Sequence, residues 1–131
     1  MPVPRTLLRW LSTFLAFPVG GIAAIAVVGP VHSTATASFA GLVAGSVVGL
    51  GQWLALRGRG VGPRWIALTA LGMALGAGVA ALLTGTATTT AALTLTGAVT
   101  GALVGLAQSH ALRQGIGVRS LWVAAVAGAW A

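Results

Sequence analysis

The chain contains no aspartate and no glutamate. That removes the side chains that most hydrolases, glycosidases and kinases use as acid, base, nucleophile or hard-metal ligand. Cysteine is absent too, which excludes disulfides and thiolate metal sites and leaves the redox compartment unread. Charge is scarce, at 5% of 131 residues, and all of it is positive, giving a formal net charge of +7 and a pI near 12.0. In a polar chain this balance would point to nucleic acid. Here the arginines do not gather into a basic patch interleaved with aromatics, so no nucleic-acid partner is expected. They stand at the ends of apolar runs, as in a membrane protein that obeys the positive-inside rule.

Apolar residues make up 57% of the chain and its mean hydropathy is +1.00, above the range of ordinary soluble domains. A bilayer is the expected solvent. Four runs, about 7–28, 37–56, 65–83 and 91–112, have the length of roughly 20 residues that a helix needs to cross a hydrocarbon core. Pro18, with Gly20 and Gly21 close behind, predicts a kink in the first of them. A rival reading makes that first run a signal peptide. Arg5 and Arg9 would be its basic start and Ala35-Thr36-Ala37 its cleavage site, but the apolar region is long for a signal of about 7–15 residues. The last run, 120–131, is too short to cross upright. It reads as a half-helix, as a segment leaning on a partner or, the favoured reading, as a fifth span whose continuation lies outside this sequence. The expected fold is therefore an all-α integral membrane protein forming a single transmembrane domain over 1–131.

The arginines set its orientation. Arg5 and Arg9 precede or open the first span, Arg57, Arg59 and Arg64 lie between the second and third, and Arg113 and Arg119 between the fourth and fifth. The connections 29–36 and 84–90 carry no charge. Alternating spans put every arginine on the cytoplasmic side, which predicts a bacterial inner-membrane protein with a cytoplasmic N-terminus. The arginines' first expected role is topology. A second is attraction to anionic lipid.

One stretch, GLVAGSVVGLGQWLALR from Gly41 to Arg57, returns as GAVTGALVGLAQSHALR from Gly97 to Arg113. Each copy has a ladder of glycines four residues apart, Gly41, Gly45 and Gly49 or Gly97, Gly101 and Gly105, then Gln52 or Gln108 and a closing arginine. Trp10, Trp65 and Trp122 open the odd spans at similar separations, the first two directly after an arginine and the third three positions after Arg119. The expected unit is a hairpin, with units at about 9–57 and 64–113 and a partial one at 119–131. Successive units share one orientation, a parallel repeat about the membrane normal. Tryptophans in these places are expected to anchor the helices at the inner interface, with Trp130 marking the outer one.

At about 100° per residue the glycines and the glutamine of each copy share one stripe. Such a face suits close backbone approach, with the amide bonding across to a neighbour. The simplest arrangement sets the second and fourth spans ladder to ladder, with Gln52 and Gln108 near one another. The same faces would serve a protein partner or a homo-oligomer. The first copy's G-x-x-x-G-x-x-Q-W-x-x-L-R pattern resembles small uncharacterised bacterial multi-pass membrane proteins built of similar hairpins, and that resemblance implies no activity. The second copy departs from the pattern at Ser109 and His110, which replace Trp53 and Leu54.

The remaining polar residues have ordinary readings. Gln52 and Gln108 are expected to bond between helices, with contact to a ligand or a polar path as the alternative. His32 and His110 lie at different depths and are not expected to share a metal. The threonines between 84 and 100 bond most readily to their own helix backbone. Ser46 and Ser109 lack an orienting acid, so no catalytic residue, cofactor or metal is expected. Two functions follow in order. The first is a non-catalytic membrane subunit for assembly or accessory work. The second is a small channel or transporter, alone or as an oligomer, with Gln52 and Gln108 along its path.

Overall fold

The computed structural model describes residues 5–112 and 116–131, apart from the side chains of residues 5, 6, 10, 12 and 116. Arg113 and the side chains of Arg5 and Trp10 therefore lie outside the described residues. Helix α1 spans Arg5–Val28 and α2 spans Thr34–Leu56. A 3₁₀ turn at Arg57–Arg59 leads to α3, Arg64–Thr84, then α4, Thr90–Ser109, and α5, Ile116–Trp130. Among the described residues there is no strand. The first four helices are long and apolar enough to cross a membrane.

Local chemistry sets the helix ends. Ser33 caps α2, its hydroxyl accepting from the Thr36 amide at 3.2 Å while Thr36 Oγ1 accepts from the Ser33 amide at 3.0 Å. This reciprocal capping box starts α2 at Thr34 rather than at residue 37, where the apolar run begins. Pro63 stands immediately before α3, a place where its missing N–H costs nothing. Gly85 ends α3 in the left-handed region at φ 60°, which an L side chain rarely adopts. α4 stops at Ser109 rather than at residue 112, and α5 starts at Ile116 rather than at residue 120. α1 is continuous through Pro18.

Each helix packs against the next in sequence, α1 on α2, α2 on α3, α3 on α4 and α4 on α5. Among the described residues, α1 and α5 approach only through side chains, with the Phe17 and Trp130 rings edge to face at 5.4 Å. The bundle is thus a sequential stack that curls until its end helices meet.

The glycine ladders lie in these contacts, but not face to face. On α2, Gly41 rests on the Met73 backbone, and a Cβ at Gly45 or Gly49 would lie 2.7 Å from Ala70 Cα or 3.0 Å from Ile66 Cα, all on α3. On α4, Gly97 rests on the Trp130 carbonyl, and Cβ atoms at Gly101 and Gly105 would lie 2.8 Å from Trp130 Cβ and 2.9 Å from Val123 Cα, both on α5. The expected contact of the second span with the fourth is therefore corrected: each ladder receives the odd helix that follows it. The reason is connectivity. Gly60 closes the short turn after α2 in the left-handed conformation (φ 80°) and sends α3 straight back along the ladder it has just left.

The odd helix in the middle has its own small face. Gly72 and Gly76 of α3 would place a Cβ 2.7 Å from Val104 Cα and 2.6 Å from Thr100 Cα on α4. Gly20 of α1 meets the Ala44 carbonyl of α2 in the same manner, at 3.0 Å. α3 is therefore gripped on both sides at backbone distance. Its buried residues include Trp65, Thr69, Ala70, Gly72 and Gly76.

Candidate functional site

At the arginine-bearing end of the bundle the polar side chains converge. Trp65 Nε1 donates to Gln52 Oε1 at 3.0 Å, and Gln108 Nε2 donates to the same oxygen, also at 3.0 Å. Gln108 Nε2 donates again to Thr69 Oγ1 at 2.9 Å, and Thr69 Oγ1 donates to the Trp65 carbonyl at 2.8 Å. Trp122 Nε1 donates to Gln108 Oε1 at 3.3 Å. One network thus joins α2, α3, α4 and α5.

The protons in this network are placed by elimination. An indole N–H is a donor only, so both glutamines must turn their oxygens toward their tryptophans. Gln108 then has two N–H groups, which go to Gln52 and Thr69, while the Thr69 hydroxyl proton goes to its own helix. Only the Gln52 amide nitrogen finds no acceptor among the described residues. Gln108 is 1% exposed, whereas Gln52 is half-buried on a cavity wall. A typical bond of this kind contributes about 0.5–1.5 kcal/mol, and a buried amide left without partners costs about 1–3 kcal/mol.

The geometry brings Gln52 and Gln108 together, as their matching positions suggest. It places Trp65 differently from expectation. Trp65 is 1% exposed, its indole inside the bundle against Trp122 with ring centroids 6.0 Å apart. Trp122 is half-buried on the same cluster. These two tryptophans are internal hydrogen-bond donors, because the first turn of α3 and the second turn of α5 face the glutamine of the preceding even helix. Trp130, the last residue of α5, packs against Gly97 and Gly101 midway along α4. Thr69 was not singled out by sequence, although it follows Trp65 by one helical turn and completes the amide chain.

The arginines divide between two settings. Arg64 Nη2 donates to the His110 carbonyl at 2.6 Å, and Arg119 Nη2 to the Leu112 carbonyl at 3.2 Å. Both satisfy carbonyls at or just after the C-terminus of α4, a role that the cationic pattern alone does not specify. Arg9 and Arg59 instead line one cavity of about 750 Å³. Its walls also include Thr13, Phe14, Phe17, Gln52, Trp65, Trp122 and Trp130. Arg57 is exposed just after α2.

The other candidates stay local. His110 is exposed, with Nδ1 2.8 Å from the Leu106 carbonyl, and His32 is exposed before α2. Ser46 and Ser109 donate to the Leu42 and Leu106 carbonyls at 2.8 and 2.7 Å. Among the described residues no group of histidines or other ligands could hold a metal. What the cluster offers chemically is neutral donors and acceptors beside two guanidinium groups, a binding and fastening chemistry. Comparison with protein families, with curated proteins and with solved structures finds no match to this chain.

Proposed function

We propose that the chain is a non-catalytic multi-pass protein of the bacterial cytoplasmic membrane, built from parallel hairpins and serving as an assembly or accessory subunit. The observation that carries the membrane reading is the distribution of apolar surface. Phe14, Ile25, Leu82 and Leu121 are each about 70% exposed or more on helices of membrane-spanning or near-spanning length, far beyond what a monomer shows to water. The hairpin reading is supported by paired contacts. Gln52 receives a bond from Trp65 and Gln108 one from Trp122, each glutamine on an even helix and each donor on the odd helix after it. Gly20 and Gly76 likewise occupy matching places on α1 and α3.

The subunit reading is supported by what the polar groups do. The buried amides are engaged with one another and with tryptophan, so the interior serves cohesion. The ladders are also occupied within the chain, which leaves the outward faces of α1 and α5 for a protein partner or a second copy. A channel has less in its support, because Gln108 is buried and its amide groups are taken.

Single-cysteine labelling tests orientation without interference, since the chain has no native cysteine. Gly58→Cys is expected to react with an impermeant maleimide only after permeabilisation, and Ala87→Cys from outside, in a protein that resists carbonate extraction. The reversed pattern, or a soluble chain, contradicts the membrane reading. Crosslinking in native membranes that yields only the lone monomer contradicts the subunit reading.

A further inference from the structure

We propose that the cavity between α1, α2 and α5 is a binding site for one anionic phospholipid, its phosphate held by Arg9 and Arg59 and an acyl chain running toward Phe17 and Trp130. The inference deepens the membrane reading and rests on it.

The cavity is graded from end to end. Along α1 its wall runs Arg9, Thr13, Phe14, Phe17, a rise of about 12 Å at roughly 1.5 Å per residue. α5 runs parallel to α1, so Trp122 lies near the arginine end and Trp130 beside Phe17 at the other. α2 runs the opposite way, bringing Gln52, then Leu56, then Arg59 toward the arginines' level. The site is thus cationic and polar at the helix ends and apolar and aromatic at depth. At about 750 Å³ it is of the size, about 300–1,000 Å³, that ordinary ligand sites have.

Charge selects the occupant. The chain has no aspartate or glutamate anywhere, so no side-chain carboxylate can neutralise these guanidinium groups. A phosphodiester supplies the missing charge and accepts charge-assisted hydrogen bonds from them. The Gln52 amide nitrogen, turned away from Trp65 and Gln108 and lacking an acceptor among the described residues, adds a donor on the same wall. A zwitterionic headgroup carries its own cation, which offsets its phosphate and adds positive charge beside the arginines, and a free anion leaves the aromatic half unfilled. α1 and α5 meet through side chains only, so a seam between them gives a chain lateral entry from the bilayer.

The test uses the full chain in phosphatidylcholine vesicles and reads tryptophan quenching by lipid brominated on its acyl chain. Brominated phosphatidylglycerol is expected to quench at a several-fold lower mole fraction than brominated phosphatidylcholine. Arg9→Gln and Arg59→Gln are each expected to reduce that preference by about fivefold or to abolish it, while Arg9→Lys and Arg59→Lys keep most of it. Ala55→Phe fills the wall and leaves both arginines in place, and is expected to abolish the preference as well. Equal quenching by the two lipids, or a preference that survives Ala55→Phe or the double glutamine variant, overturns the site. Displacement of the brominated phosphatidylglycerol by millimolar inorganic phosphate overturns it too, by assigning the arginines to a free anion. A chain that inserts but shows no preference defeats this inference alone, whereas one that fails to insert defeats the membrane reading with it.

Discussion

Gln108 Nε2 lies 3.0 Å from Gln52 Oε1, a bond between residues 56 positions apart on two helices whose backbones do not touch. The two amides reach each other past α3, which occupies the space between α2 and α4 and contributes Trp65 and Thr69 to the same network. A hydrogen bond here fastens three successive helices at once and a fourth through Trp122.

The two glutamines are not equivalent, and their truncations should differ. Gln108→Leu removes three bonds at a residue 1% exposed, those that Gln108 donates to Gln52 and Thr69 and the one it accepts from Trp122. Gln52→Leu removes two, those it accepts from Trp65 and Gln108, on the wall of an open cavity. The expected loss for Gln108→Leu is about 1–3 kcal/mol and is the larger of the two, read from unfolding in mixed micelles.

Thr69 separates hydroxyl chemistry from shape. Thr69→Val keeps the volume and removes the acceptor for Gln108 Nε2, with an expected cost of about 1 kcal/mol. Thr69→Ser retains the hydroxyl and is expected to lose less. Equal thermal stability of the valine variant and the parent would show that the buried bond contributes nothing.

Glycine substitutions should change sign with position. A Cβ at Gly45 or Gly101 would lie 2.7 or 2.8 Å from a neighbouring helix, so alanine there forces the helices apart at about 1–3 kcal/mol. Gly21 and Gly128 have nothing within 4 Å of the same added atom. Alanine at these two is expected to stabilise the helix by about 0.5–1 kcal/mol. Thermal melts of the four variants in one detergent check the contrast.

Much of this arrangement was readable from residue spacing, and the misreadings have physical reasons. The apolar runs located all five helices, and equal spacing paired Gln52 with Gln108. The glycine stripe said that a helix comes close but not which one, because a face without side chains carries no complementary shape. Its partner was set by the short turn at Gly60 instead. Trp65 and Trp122 follow or nearly follow arginines at helix starts, a position that looks interfacial. Their indole N–H groups turned inward because a glutamine oxygen was there to accept them. Thr69 looked like any helical threonine, since its own bond to the Trp65 carbonyl is the ordinary one. Ser33 and Thr36 extended α2 beyond its apolar run through hydrogen bonds that hydropathy does not register.

The most direct test of the bundle's central fastening is a double-mutant cycle on Gln52→Leu and Gln108→Leu, with unfolding free energies measured in the same micelles. Direct bonding between the two amides predicts a coupling of about 0.6–2 kcal/mol. Additivity within about 0.3–0.5 kcal/mol would contradict it.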